Sequence, residues 1–481
     1  MAGETDFPVR VAAAAFPGNA SALLNRLNDK EPPRPVAAAE TLKYEVELIT
    51  PLFGGGVKPG ENDPEHPVRM KALRGQLRFW WRMLAAYGAF QDYGLSALTN
   101  GSVLYEEETA RWGGAGENGY PVPGRIGLHV HVPNVCGFSN AVKFEERNPG
   151  TGKYHTARPF YDVSRSIEYA LFPAKHGAKD NSDAKKLILP GNSFTLAITV
   201  NADGKLDASQ IAQELRCTLV WWATFGGIGA RWRRGVGSIR VRDENNTLLC
   251  VLDDNPTNAS CLPGWADASG TQLKTRSDCN AMEAWAESLK HLRLFRQDPA
   301  PGIGREGSLE HRNYGQSFWP EPHLARHHHD PAKKWAHKIE PQFVDSGAAA
   351  FVARGALGLP LEIKFPEKVV NWGKEPPSTK FLPEGFERMA SPLILRAVAR
   401  RNGNFTPCAL LLPWWRDALS VPLVADPKDG PGASATGYRV WPDDPAARGA
   451  AAAKIRPIDA NQPAGTPDPD PLSAFMEFFS K

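Results

Sequence analysis

Pro67-Val68-Arg69-Met70-Lys71-Ala72-Leu73-Arg74-Gly75-Gln76-Leu77-Arg78-Phe79-Trp80-Trp81-Arg82-Met83-Leu84 carries five cations and no acid. Leu73, Leu77, Trp80, Trp81 and Leu84 recur at three- and four-residue spacing, which predicts a helix. At roughly 100° per residue, Lys71, Arg74, Arg78 and Arg82 share one narrow face, about 110° from the apolar stripe. One face therefore buries. Its neighbour carries a row of cations at about a 6 Å pitch, close to the phosphate spacing of a single strand. Gly75 costs such a helix about 1 kcal/mol relative to Ala, which suggests that another backbone or a ligand comes close there.

Outward from this helix the chain reads as a folding unit. Upstream, Leu42, Tyr44, Val46 and Leu48 alternate with Lys43, Glu45 and Glu47, the pattern of a half-buried strand. It ends at Thr50-Pro51-Leu52-Phe53-Gly54-Gly55-Gly56, and a polar loop then leads to the helix. Downstream, Ser102–Arg111 predicts a short acidic helix, Arg125–Val132 a strand, 137–160 a loop, Phe194–Val200 a strand and Ala208–Phe225 a helix. Ile239–Arg242 follows as a strand. The order over 41–251 is β-α-β-β-α-β, the split βαβ or ferredoxin-like unit.

Residues 1–40 are rich in Ala and Pro and are expected to form a flexible extension, and 252–280 reads as a linker. From 281 to 481 a second, less regular α+β domain is expected: a helix at Ala281–Phe295, a loop over 298–345, a helix at Phe343–Ala353, and strands at Leu359–Phe365, Pro392–Val398 and Cys408–Leu412. After Asp426 the tail is expected to be extended until Leu472–Phe479.

At 481 residues the chain has room for two or three domains, and its net charge of +3 says little by itself. Placement says more, because the cations cluster in two short stretches. Cysteines 136, 217, 250, 261, 279 and 408 form no CxxC pair, which fits reduced thiols. No apolar run reaches membrane-span length, and the N-terminus lacks a signal-peptide pattern. The expectation is a soluble cytoplasmic protein with no cofactor, no metal and no membrane.

The second cationic stretch is Gly226-Gly227-Ile228-Gly229-Ala230-Arg231-Trp232-Arg233-Arg234-Gly235-Val236-Gly237-Ser238. Glycine-rich backbone makes anion-binding nests, arginine gives bidentate phosphate contacts and tryptophan stacks on bases. A tight turn with solvated arginines is the plainer alternative. Two Gly/Arg/Trp elements in one small unit favour nucleic-acid binding. The candidate RNA-binding set is Gly54, Gly55, Gly56, Lys71, Arg74, Arg78, Arg82, Gly227, Gly229, Arg231, Trp232, Arg233 and Arg234. Trp80 and Trp81 are expected to pack rather than stack on bases.

Other motifs fail. Gly150-Thr151-Gly152-Lys153-Tyr154 lacks the first glycine and the Ser/Thr of a P-loop. Gly227-Ile228-Gly229 follows a helix and precedes a strand, the reverse of a dinucleotide fingerprint. His323, His327, His328, His329 and Asp330 offer metal-ligand chemistry but lack the spacing of a structural zinc set, so a polar loop is expected. His129 and His131 share one strand face. Asp63 and His66 sit where a carboxylate and an imidazole could activate a ribose 2′-OH or position a water, but a polar loop is the expectation for them.

The blocks at 50–56, 67–82 (with RGQLRFWWR at 74–82) and 226–238 resemble the RAMP superfamily of CRISPR systems, and most specifically subunit one of the type III-B Cmr effector complex. Gly355-Ala356-Leu357-Gly358-Leu359-Pro360 and Ala390-Ser391-Pro392-Leu393-Ile394-Leu395 are similar to that family's C-terminal half. The resemblance implies an α+β fold of two ferredoxin-like (RRM-like) RAMP domains with long insertions. It also implies contacts to the guide RNA (3′ region), to target single-stranded RNA and to other RAMP subunits, with the basic helix and the Gly-rich loop facing RNA. Target cleavage in such complexes belongs to the backbone subunit, whose surrounding pattern Asp63 does not share. The expected function is a non-catalytic RNA-binding subunit in antiviral defence. The alternatives are an endoribonuclease using Asp63 and His66, or a structural adaptor between RAMP subunits.

Overall fold

The structure is a computed structural model. It describes residue 40 onward apart from 57–59, 64–65, 117–118, 134–136, 148–149, 151–153, 160–164, 176–181, 203–205, 253–262, 298–316, 336–338, 340, 345–349, 366–369, 371–372, 374, 428–434 and 464–467. The N-terminal extension, up to residue 39, and most of the P-loop-like segment at 150–154 therefore lie outside the described residues.

Strand β1 (Glu40–Leu48) opens the first unit. Helix α1 (Met70–Ala86), helix α2 (Gly101–Trp112) and strand β2 (Ile126–His131) follow. After an insertion come helix α3 (Arg165–Lys175), strand β3 (Ser193–Val200), helix α4 (Ala208–Phe225) and strand β4 (Ile239–Asp243). The sheet runs β4-β1-β3-β2 with every neighbour antiparallel. With α1 between β1 and β2 and α4 between β3 and β4, this is the β-α-β-β-α-β connectivity expected from the alternation and helical spacing.

The register explains the layers. Leu42, Tyr44, Val46 and Leu48 share a buried cluster with Leu73, Leu77, Trp80, Trp81 and Leu84 of α1 and Leu215, Leu219 and Trp222 of α4. Helix α1 has no side-chain cap at its start, so tertiary burial stabilises it. Its end is closed by Gly88 at φ 80°, with Ala89 N–H donating to the Leu84 carbonyl and Gly88 N–H to Ala85, a Schellman arrangement. Asn100 and Asp207 cap α2 and α4 through their side-chain oxygens.

The second half holds strand β5 (Gln272–Thr275), helix α5 (Ala281–Gln297), helix α6 (Glu321–His329), β6 (Leu361–Ile363), β7 (Thr379–Pro383), β8 (Leu393–Ala399), β9 (Phe405–Leu411), β10 (Pro422–Pro427), β11 (Ala435–Arg439) and helix α7 (Pro471–Ser480). Its sheet is β5-β9-β8, three antiparallel strands, with α5 and α7 against it. A separate sheet, β6-β7-β10-β11, is built from the intervening segments. The chain is thus a mixed α/β protein with antiparallel sheets.

Several expectations are corrected. The loop expected at 137–160 contains strands Phe138–Asn140, Val142–Arg147 and Tyr154–Pro159. Such short segments carry little period-two signal and are fixed by their pairing partners. The linker at 252–280 contains β5, placed by its register against β9. Within the loop expected at 298–345, Trp319, His323 and Leu324 are buried and helix α6 forms, with proline in its first turn. Of the helix expected at Phe343–Ala353, residues 345–349 lie outside the described residues; Phe343 and Val344 close a short helix, Pro341–Val344, and Ala353 opens a 3₁₀ turn, Ala353–Leu357. The tail forms β10, β11 and helices Pro445–Ala452 and Arg456–Asn461 before α7.

Among the described residues, no helix is long and apolar enough to cross a membrane.

Candidate nucleic-acid interface

The basic helix and the Gly/Arg loop do come together, through aromatic rings and through Arg233 of the loop, which lies over Phe79 of the helix. Trp232 packs on Phe79 and Trp80 at centroid distances of 5.7 and 6.1 Å. Trp80 and Trp81 are both 0% exposed, so neither ring is available to a base, as the sequence implied.

The cation row is largely engaged within the protein. Lys71 is exposed. Arg74 donates to the carbonyls of Ile126 and Trp112, and burial beside Arg78 lowers its pKa. Arg78 and Arg82 converge on Glu108, a carboxylate 1% exposed on α2. Beside them lies a fully buried network: Glu214 of α4 takes two bonds from Arg111 (2.6 and 2.9 Å) and one from the Trp81 indole (2.9 Å). Both carboxylates escaped the sequence reading. Glu214 sits between Ile211, Leu215 and Thr218, on the apolar face of its helix, and that position was the available signal.

The glycine loops meet each other. Ala230 N–H donates to the Phe53 carbonyl and Gly237 N–H to Pro51. A Cβ on Gly229 (φ 77°) would stand 2.4 Å from Leu52 Cδ1, and one on Gly237 (φ 65°) 2.0 Å from the Ile228 carbonyl oxygen. Similarly close approaches involve Gly54 with Ala230, Gly56 with the Glu61 carbonyl, and Gly227 with Gly237 and Trp232. Gly55 lies 3.8 Å from the Pro67 carbonyl by the same measure. Backbone is brought close to backbone here, within the chain.

The loop arginines point inward or across to the second half. Arg231, at φ 64°, donates to the carbonyls of Tyr169 (2.8 Å) and Ala170 (3.3 Å) on α3. Arg233 donates to Ser391 (2.8 Å) and lies over the Phe79 and Trp232 rings. Its pKa is lowered to about 10 by burial and by Arg234, so it stays charged at neutral pH. Arg234 is 6% exposed and donates to Leu393 (2.6 Å) and Leu357 (2.9 Å), while its own carbonyl accepts from the Trp285 indole. Arg396, a lone cation in the apolar strand β8, crosses back to Gly226 and to Ile239 (3.2 Å). Arg234 and Arg396 together staple the two halves.

The open face of the first sheet carries Lys43, Glu45, Thr195, His129 and His131, with Arg240 paired to Glu47. Among the described residues its own strands contribute no Phe, Tyr or Trp to that face, and Phe405 of the second half lies over Arg240 there at 5.8 Å; the row of strand aromatics by which RRM sheets stack bases has no counterpart among them.

Asp63 accepts a 3.0 Å bond from the backbone N–H of His66, a turn contact, and the imidazole of His66 does not make that bond. His323 is buried, 4.9 Å from the Phe343 ring, and burial lowers the pKa of His328 and His329. Among the described residues, no group of three or more His, Cys, Asp or Glu is placed to hold a metal.

Residues 45–240 match the RAMP superfamily model. That span runs from within β1 into β4, the connectivity unit described above. No curated protein matches the chain. Among solved structures, it is similar to a chain of the type III-B Cmr-beta complex bound to cognate target RNA, at 12% identity and TM-score 0.39, covering 77% of this chain and 94% of that one. The same complex with AMPPnP and single-stranded DNA gives 13% identity and TM-score 0.37, over 77% and 93%. A type IV-B CRISPR complex gives 12% identity and TM-score 0.27, over 46% and 96%.

Proposed function

We propose that the chain is a non-catalytic RNA-binding subunit of a type III-B CRISPR ribonucleoprotein effector, contacting guide RNA (3′ region), target RNA and neighbouring RAMP subunits. The observation that carries this reading is the RAMP superfamily match over 45–240, coincident with a complete β-α-β-β-α-β unit. On this reading both halves are variants of the ferredoxin-like RAMP domain, the second with a three-stranded sheet. Lys71 and the outer edges of Arg78 and Arg82 supply phosphate contacts, with little direct base reading. The buried loop arginines act one step removed, by holding the surface in shape.

The test is salt-dependent binding of the purified chain to labelled single-stranded RNA, with and without Mg²⁺. Affinity that falls with salt, without strand cleavage, supports the reading. Cleavage abolished by Asp63→Ala would move the chain to the endoribonuclease class. No binding at low salt would leave the adaptor role.

A further inference from the structure

An acid outside the cation row organises two of its members. Glu108 stands within α2, a helix fixed at both ends: Asn100 caps its start, and Arg74 of α1 donates to the carbonyl of Trp112 in its last turn. Three residues beyond Glu108, Arg111 is tied to Glu214 of α4. The Glu108 carboxylate is thereby held in place, with its side chain 2% exposed. Arg78 reaches it through Nε at 2.5 Å. Arg82, one turn further along α1, reaches it through Nη1, at 3.5 and 3.4 Å from its two oxygens. Each guanidinium commits one edge to the carboxylate. Among the described residues, Arg78 Nη1 and Nη2 and Arg82 Nε and Nη2 make no hydrogen bond. The two arginine side chains are 27% and 38% exposed, so the carboxylate lies on their inner side and their other edges face outward.

We propose that Glu108 is a positioning residue for RNA: it holds Arg78 and Arg82 side by side as a clamp, and their outer N–H groups grip one phosphate of the strand together. Two like charges at i and i+4 on a helix repel, and long side chains free in solvent lose rotamer entropy when they bind. A shared buried carboxylate offsets the repulsion and fixes both rotamers before the ligand arrives, which is how preorganisation raises affinity. The charge matches as well, since two cations and one carboxylate leave a net +1 for one phosphodiester. Glu108 is no stand-in for that phosphate, because it lies on the buried side and the strand would meet the outer edges. The proposal rests on the RNA-binding reading and deepens it, by giving an acid a part in gripping an anion.

Fluorescence anisotropy with labelled oligouridine, on the full chain, tests it. Glu108→Gln makes the face more positive, and a face that worked by charge alone would then bind RNA more tightly. The clamp gives the opposite result. Binding is expected to weaken on the order of tenfold, the size of one charge-assisted hydrogen bond. The slope of log K against log salt is expected to fall by about 0.7, as one phosphate contact is lost. Arg78→Lys keeps the charge but not the planar fork. It is expected to weaken binding by itself and to add little in the Glu108→Gln background. Melting curves establish that the variants fold. Wild-type or tighter affinity in either single variant, or a Glu108→Gln slope that is unchanged or steeper, overturns the clamp and leaves the RNA reading intact. Failure of the wild type to bind oligouridine at low salt overturns both.

Discussion

Arg231 Nη2 donates at 2.8 Å to the carbonyl of Tyr169, the acceptor that the chain's own helix leaves open. Four residues on is Pro173, inside α3, and a proline has no N–H to give its i−4 carbonyl. An arginine sixty-two residues away in sequence, held in the left-handed region, substitutes for the missing donor. Arg231→Ala is expected to cost about 0.5–1.5 kcal/mol. In a Pro173→Ala background the helix supplies its own donor and the cost shrinks. A double-mutant cycle by urea unfolding measures the coupling, and additive effects would contradict the substitution.

Arg111 and Glu214 are 1% and 0% exposed in their side chains. Removing one partner leaves a buried charge, so Glu214→Leu alone should destabilise by about 3–5 kcal/mol. Arg111→Met with Glu214→Leu should recover most of that, because an apolar pair of similar volume is often neutral. Thermal melts of the two single variants and the double variant decide it.

The phenol of Tyr169 is held near 7, against about 10 in an unfolded chain. The folded state therefore binds fewer protons between those values, and stability rises with pH across the window. The contribution is fully present above about pH 10 and is lost as pH falls through about 7. Relative to Tyr169→Phe, the wild type should melt higher at about pH 9 than at about pH 6. Phenolate absorbance titrating near neutrality should vanish in the variant.

Gly75 lies on α1 with, among the described residues, no atom within 4 Å of where a Cβ would stand. Nothing among the described residues repays its helical penalty. Gly75→Ala should raise stability by about 1 kcal/mol and, if RNA lies along the face of Lys71 and Arg82, weaken RNA binding. Calorimetric melting and anisotropy on the same variant read both. A gain in stability with unchanged affinity would remove RNA from that face.

How much was legible depends on how local the cause is. The periods of β1, α1 and α4 are local, and so their burial and the connectivity of the first sheet could be read from spacing. Strand β5 has only Leu273 as a fully buried apolar residue, and its position comes from pairing with β9. The cations are the sharper lesson. The charge row on α1 was real, but Glu108, which occupies Arg78 and Arg82, lies on another helix. Arg233 and Arg234 looked like phosphate ligands because a Gly/Arg loop offers the same donors to RNA and to carbonyls. Their partners, Ser391, Leu393 and Leu357, stand more than a hundred residues away.

The register of β1 also sets a timetable. Its neighbours are Ser193–Val200 and Ile239–Asp243, so the strand meets its first pairing partner only after roughly 150 residues have followed it out of the ribosome. At ordinary synthesis rates of about 5–20 residues per second, that is a wait on the order of eight to thirty seconds. Trp80 has to wait for Trp221 and Phe225, against which it packs. A sheet whose central strand is made first and paired last has high contact order and slow closure. During synthesis the first-made strand and its tryptophan-bearing helix are the parts of the nascent chain most exposed to aggregation, and the parts that a chaperone or an early-arriving partner would shield.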